Sequence, residues 1–448
     1  TVLLGPDKPF ILSHNIPDSA EMAEIIKHRL DLGDDDLPKP FALGLNCGLG
    51  PDRMLDALEI ARTLTSLPLV VQPNAGVPHT IDNRQLYLCS PEYLSTYAVR
   101  YVNLGARGVG GCCGTTPEHI ADLARSIKPL GRRPQVIVPK ATEKSAPRLP
   151  ETPLAERSEL GRKLANGEWI CAVEMSPPRG WDAGRLLANA QLCKERGVDV
   201  LNIPDGPRAA PRLSALATAL LIQNQVGMEA VLHVCCRDRN YIGLQADLLG
   251  CAALGLHNLL FITGDPPKLG NYNFASGVFD TDSIGLVKLQ KHLNQGVDLG
   301  GQSIKPPTAA VIGVGADPSA IDFQREIDRL HQKAAAGAEY ITTQPVFDIA
   351  ALQRFLEAVA DLHLPVIAGI WPLVSLRNAL FMKNEVPGVQ VPDSVVARIE
   401  AAESAEEQLA VGIASAREAV QAVRGLVAGV QVSAPLGNVQ AALAVLGK

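Results

Sequence analysis

From Trp169 onward, short apolar runs rich in β-branched residues alternate with stretches in which apolar residues recur every three or four positions. The runs are WICAVEMS, VDVLNIPD, EAVLHVCC, NLLFITGD, TAAVIGV, YITTQPVF, LPVIAGIWP and GVQVSAP, and AIDFQREIDRLHQKAAAGA typifies the helical stretches between them. Runs that are apolar throughout, instead of alternating with polar residues, predict strands buried on both faces of a parallel sheet. Eight such strands, each followed by a helix, predict a complete α/β TIM barrel, (β/α)8, over residues 169–448. An open doubly wound sheet is the alternative reading of the same pattern.

The N-terminal side repeats this texture with half as many strands. PFILSH, FALGLNC, LPLVVQPN and GVGGCC are separated by helices such as PDRMLDALEIARTLTS. Four strands do not close a barrel, so residues 1–137 are expected to form the C-terminal half of a second (β/α)8-type barrel. The first residue is threonine, and an N-terminal portion is expected to lie outside this sequence. Between the two regions, residues 138–168 are rich in proline and charge and carry no strand-like run. They predict a linker with one short helix near its end.

Composition narrows the function classes. The chain has 448 residues, 47% hydrophobic and 20% charged, with a formal net charge of -6. A surface of that sign does not attract nucleic acid. Apolar runs stay short of the roughly 18 residues that a membrane span needs, and Thr1 to Pro9 lack the order of a signal peptide, so a cytoplasmic protein is expected. The nine cysteines include two adjacent pairs and sit mainly in apolar runs. That placement suits reduced thiols or metal ligands better than a disulfide framework.

In a parallel barrel the chemistry sits at the C-terminal ends of the strands. The first strand ends in Glu174-Met-Ser-Pro-Pro-Arg179, a carboxylate at the mouth of an apolar strand. The fourth ends in Thr263-Gly264-Asp265-Pro266-Pro267, a second carboxylate beside a glycine that lets a ligand approach the backbone. The sixth ends in Thr343-Gln344-Pro345, whose amide can both donate to and accept from a heterocycle edge. Taken singly, these residues suit a structural salt bridge, a turn or helix cap, and an ordinary polar position equally well.

Together, VEMSPPR, HVCCRD, FITGDPP, GADPSA, HQKAAAGAEYITTQPVFD and IAGIWPL, in that order, resemble methylenetetrahydrofolate reductases along residues 169–448. NIPDGPRAAPRLS and VFDTDSIGL resemble the bacterial members fused behind a homocysteine methyltransferase. The resemblance implies a bound FAD that passes hydride from NAD(P)H to 5,10-methylenetetrahydrofolate, giving 5-methyltetrahydrofolate. It implies catalytic roles for three residues. Glu174 would be the acid that protonates the folate nitrogen, its pKa raised by burial; Asp265 would lie beside the flavin and pterin rings, and Gln344 against the substrate. For FAD it implies His233, Gly264, Asp265, Glu326 and Lys333, with Lys333 towards phosphate and Glu326 towards the ribose or adenine. Thr263 departs from the arginine that many members carry there, and the segment around Gly313 lacks an aromatic found in some. No regulatory extension follows the eighth barrel helix, so control by S-adenosylmethionine is not expected.

On the N-terminal side, GVGGCCG (Gly108 to Gly114) nearly spells the dinucleotide fingerprint, but Cys113 stands at the third glycine position and the closing acidic residue is missing. Two adjacent cysteines at one strand mouth and Cys47 at another make a better case for a metal, because three thiolates converging on one face suit zinc with a position open for substrate. Three buried structural cysteines are the alternative. LNCGLGP, VVQPNAG and GVGGCCGTTPEHI resemble zinc-dependent homocysteine S-methyltransferases over residues 9–127, and the resemblance puts Cys47, Cys112 and Cys113 on the Zn2+ ligands. It implies methyl transfer to the homocysteine thiol, with the first half of that barrel not represented.

Two readings therefore compete: a bifunctional one-carbon enzyme with a partial methyltransferase half, or a reductase carrying a non-catalytic zinc-binding or structural module. A flavin-free lyase or aldolase is a third, which a Schiff-base lysine at a strand mouth would favour; the strand ends above carry none. Substrates are small molecules in each case. NADH and NADPH are not separated by these residues, and a homo-oligomer is left open.

Overall fold

The structure is a computed structural model and describes residues 11–15, 40–76, 78–81, 84–87, 89–128, 146–267, 270, 272, 274–385 and 389–448. The chain divides into two compact units, Thr1–Ala141 and Thr142–Lys448.

In the first unit β1 (Ile11–Asn15), β2 (Ala42–Asn46), β3 (Leu69–Gln72) and β6 (Gly108–Val109) form a parallel sheet in the order β1-β2-β3-β6. Each of the helices Pro51–Leu64, Pro91–Asn103 and Pro117–Ile127 begins with proline, whose fixed φ and missing N–H suit the first helical turn. Leu43, Leu45, Met54, Leu58, Val71 and Tyr101 form the core against this sheet. An antiparallel hairpin of β4 (Pro78–Ile81) and β5 (Arg84–Tyr87) was not expected from the sequence.

The second unit is the expected barrel. Its strands are β7 (Ile170–Glu174), β8 (Val200–Ile203), β9 (Ala230–Cys235), β10 (Asn258–Ile262), β11 (Val311–Ala316), β12 (Tyr340–Pro345), β13 (Val366–Ile370) and β14 (Gly429–Ser433). Every neighbouring pair is parallel, and β14 pairs with β7 to close the ring. Side chains alternate across each strand. Outward residues such as Val173, Leu201, Leu232 and Val430 join the helices in one large core, while Ile170, Ala172, Val200, Val231, Leu260, Val311, Tyr340 and Ile367 fill the lower barrel.

The region expected as a linker is corrected in its second half. Residues 146–168 belong to the barrel unit, where the helix Glu159–Asn166 lays Leu160 and Leu164 onto the apolar plug. Its first turn is held by Glu229, whose carboxylate accepts the N–H groups of Glu159 and Leu160 at 2.8 and 3.1 Å. Arg157, 7% exposed, donates to the Glu339 carboxylate at 2.8 Å and to Ala310 O at 2.9 Å. The prolines and charges that read as a spacer are the caps and ion pairs of a floor. No helix among the described residues is long and apolar enough to cross a membrane.

Candidate functional site

The same alternation that buries the apolar plug turns a second set of residues into the upper barrel. By parity with the plug residues, Glu174, Asn202, His233, Gly313, Gly315, Thr342, Gly369, Gln431 and Ser433 face the interior towards the C-terminal mouth. The mouth is thus polar, and its glycines keep it open.

Glu174 ends β7. Its carboxylate accepts from Gln431 Nε2 at 3.2 Å and lies 3.4 Å from Ser433 Oγ, both on β14. Burial pushes its pKa up to about 7, and these two hydrogen bonds only partly offset that. The group is therefore a carboxylic acid for much of the time near neutral pH. His233 on β9 is buried, and desolvation lowers its pKa to about 4. The ring is neutral at pH 7, with Nε2 3.1 Å from Asn202 Oδ1; because Oδ1 accepts, Nε2 carries the proton and Nδ1 is left as an acceptor.

Beyond β10, Gly264 has φ +90°, and an added Cβ would lie 3.0 Å from Cys235 Cβ, so glycine is required at this turn. It presents Asp265 at the rim, exposed, where Oδ2 accepts the Arg208 backbone N–H at 3.1 Å. Gln344 is exposed at the end of β12, where the pairing to β13 shifts between Thr342 and Pro345. Gly369 permits this, since a Cβ there would stand 2.4 Å from Thr343 O. Lys333 and Glu326 both serve the end of β11. Lys333 is buried with its pKa lowered by desolvation, and Nζ donates to Gly315 O at 2.7 Å; Glu326 accepts from Asp317 N at 3.1 Å. A Cβ on Gly315 would meet nothing nearer than Ile262 at 3.7 Å. A floor with so few side chains suits the face of a planar ring system such as a flavin.

In the first unit the loops after β2, β3 and β6 are stitched together. Cys47 N donates to Gln72 O at 2.9 Å, Cys112 N to Pro73 O at 2.8 Å and Cys113 N to Asn74 Oδ1 at 3.2 Å. The glycines around the cysteine pair have local causes: a Cβ on Gly111 would fall 2.3 Å from Thr115 Oγ1, and Gly114 has φ +77°. The Sγ atoms of Cys47 and Cys113 are 3.7 Å apart and those of Cys112 and Cys113 3.9 Å, and all three lie within 4.8 Å of one another. Three sulfurs on a tetrahedral Zn2+, each about 2.3 Å from the metal, stand roughly 3.8 Å apart, so the donor set fits that ion. Desolvation raises the Cys47 pKa, but hydrogen bonds from the Gly48 backbone, Cys112, Cys113 and Asn74 together hold it below the ordinary thiol value. Cys112 is pushed up to about 11, first by burial and then by its two sulfur neighbours.

Residues 159–432 match the family model Methylenetetrahydrofolate reductase. The chain belongs to the methylenetetrahydrofolate reductase family. Residues 5–127 match the Homocysteine S-methyltransferase model, so the reductase barrel follows a partial methyltransferase region in chain order. Among solved structures, the chain is similar to an uncharacterized Clostridium thermocellum protein that binds two copies of 5-methyl-5,6,7,8-tetrahydrofolic acid. They share 17% identity over 64% of this chain and 97% of that one, with a TM-score of 0.46. Oxaloacetate acetylhydrolase in complex with 3,3-difluorooxalacetate shares 12% identity over 65% of this chain and 84% of that one, with a TM-score of 0.39.

The structure brings Glu174 and His233 into this reductase-family mouth and places Gly264, Asp265 and Gln344 on its rim. Lys333 and Glu326 reach it through the end of β11. Sequence reasoning missed the partners that define these groups: Gln431 and Ser433 for Glu174, Asn202 for His233, and Arg208 for Asp265. In GVQVSAP the polar residues stand at alternate positions, a signal of one polar face in an apolar strand. Arg237, 4% exposed, was also passed over; it donates to Asp238 at 2.8 and 2.9 Å and reaches Asp265 O at 3.4 Å.

Proposed function

We propose that the barrel reduces 5,10-methylenetetrahydrofolate to 5-methyltetrahydrofolate with NAD(P)H through a bound FAD. The observation that carries this reading is Glu174, an enclosed carboxyl whose pKa of about 7 suits proton donation near neutrality. FAD, when bound, relays hydride from the nicotinamide to the folate. The protein's own part is to deliver a proton from the Glu174 carboxyl to the folate nitrogen, which opens the bridging methylene to an electrophilic iminium. Gln431 and Ser433 hold that carboxyl in place. Asp265, after β10, and Gln344, at the end of β12, hydrogen-bond the pterin from either side of β11, and the floor at Gly315 and Ile262 receives a ring face. His233, Gly264, Glu326 and Lys333 complete the FAD side, the last two by fixing the end of β11. The test is an anaerobic spectrum: a yellow protein should bleach with NADH or NADPH and recolour with methylenetetrahydrofolate. A colourless protein that takes up no FAD would overturn the assignment.

For the first unit, the sulfur geometry favours a zinc site of Cys47, Cys112 and Cys113 that would bind the homocysteine thiol as thiolate for methyl transfer. One zinc per chain together with methionine formation from homocysteine would support it. Zinc without turnover would leave a metal-binding structural module.

A further inference from the structure

β13 runs out into Trp371-Pro372, and the chemistry above gives this tryptophan no part. Along β13, Val366, Ala368 and Ile370 join the outer core while Ile367 lies in the apolar plug, so Ile367 and Gly369 face the interior. Proline at 372 favours extended backbone in the residue before it. The alternation therefore continues one residue past the strand and turns Trp371 inward at the C-terminal mouth. Its neighbours in the ring are groups already assigned to the folate. On one side Ile370 pairs with Val432 of β14, which sets Trp371 level with Ser433, and Ser433 is a partner of Glu174. On the other side Gly369 pairs with Pro345, the residue after Gln344.

The indole is half-buried, and its ring packs against the apolar cluster that includes Leu373, Ala379 and Met382. Its Nε1 is shut off from solvent and, among the described residues, has no hydrogen-bond partner. An indole N–H can only donate, and a buried donor left unpaired costs folding free energy. Buried Trp N–H groups normally find an acceptor, so an orphan at the lip of a binding mouth points to an acceptor brought by the ligand.

We propose that Trp371 is a specificity-determining residue for the folate, donating its Nε1–H to the oxo group at C4 of the pterin. This rests on the reductase reading above. Along the pterin edge, N3–H and the 2-amino group are donors and suit the Asp265 carboxylate, whereas the C4 oxo group is an acceptor and needs a donor. That oxo group stands beside N5, one of the two nitrogens that carry the bridging methylene. It belongs near the acid, and only β14 separates β13 from the Glu174 strand. A nicotinamide also offers a carboxamide oxygen, but the groups flanking Trp371, Gln344 and the Ser433–Glu174 pair, are those placed against the folate.

The experiment measures the Kd of the flavin-loaded protein for tetrahydrofolate and for 4-amino-4-deoxytetrahydrofolate, in which a donor replaces the C4 acceptor, on the wild type and on Trp371→Phe. In the variant, tetrahydrofolate should bind about tenfold more weakly, the loss of one hydrogen bond, while the affinity for the analogue stays as in the wild type. Flavin content is measured alongside and should not change. The wild type supplies a reading free of any change in packing. The indole N–H resonance of Trp371, one of three tryptophans, should move downfield with tetrahydrofolate and not with the analogue. Equal weakening of both folates in the variant, with that resonance unmoved in the wild type, would make the indole a packing group and overturn the proposal. So would a resonance that moves with NAD(P)+ and not with tetrahydrofolate, which would assign the donor to the nicotinamide. A wild-type protein whose reduced flavin is not reoxidised by methylenetetrahydrofolate would remove the reductase reading itself, an outcome separate from the other two.

Discussion

Glu174 shows how one side chain's chemistry depends on what surrounds it. A carboxyl with an ordinary pKa of 4.5 raised to about 7 costs folding free energy once the pH passes its unfolded value. Below pH 4.5 the group is protonated in both states and nothing is lost. Between 4.5 and 7 the unfolded chain ionises and the native one does not, so stability falls, reaching a loss of about 3 kcal/mol above pH 7. Glu174→Gln should therefore melt at higher temperature than the wild type at pH 8 and nearly level with it at pH 4, read by thermal denaturation at both pH values. The same variant should keep its flavin and the flavin's reduction by NAD(P)H while losing folate reduction; equal loss of both half-reactions would take Glu174 out of the acid role. In the wild type, the folate half-reaction should slow as the pH rises through 7, because the acid form is depleted.

At the scale of elements, the barrel sets positions that no single segment specifies. Gln344 reaches the rim because β12 slips against β13, and the slip needs Gly369. An added methyl would stand 2.4 Å from Thr343 O and 3.1 Å from Gln344 O. Gly369→Ala should thus raise the KM for the folate by about tenfold while flavin content changes little, checked by steady-state kinetics and the visible spectrum. The floor helix offers a test of stability alone. Leu164 is 5% exposed in the apolar plug, and Leu164→Ala should cost roughly 2–4 kcal/mol by cavity formation. The loss should appear in denaturant unfolding of the barrel, with kinetic constants of the folded enzyme unchanged.

For the whole molecule, the two compact units carry separate candidate chemistry. The cysteine cluster draws its ligands from loops within the first unit, and the mouth residues all come from the second. Cys112→Ser should lower bound zinc from one per chain to near zero by elemental analysis and leave the flavin spectrum and folate reduction untouched. Coupled loss of flavin would show that the units depend on each other.

The sequence by itself determined the eight-stranded barrel, the smaller parallel sheet ahead of it, and the strand ends at which Glu174, Asp265, Gln344 and the three cysteines would stand. Those features are local: an apolar run buried on both faces, a helical period, a glycine at a turn. Family resemblance then supplied roles that spacing alone left open. The short helix near the end of the expected linker is present, but its segment was read as a spacer because its prolines and charges resemble one until Glu229, Glu339 and the barrel plug are brought beside them. Only the tertiary structure decided which polar groups share the mouth. Glu174 and Ser433 stand 259 residues apart in sequence and become neighbours because β14 closes onto β7. The acid's pKa follows from enclosure and from partners brought in by ring closure, and the neutral state of His233 from enclosure alone. Those are properties of the assembled barrel, and no segment of the chain holds them alone.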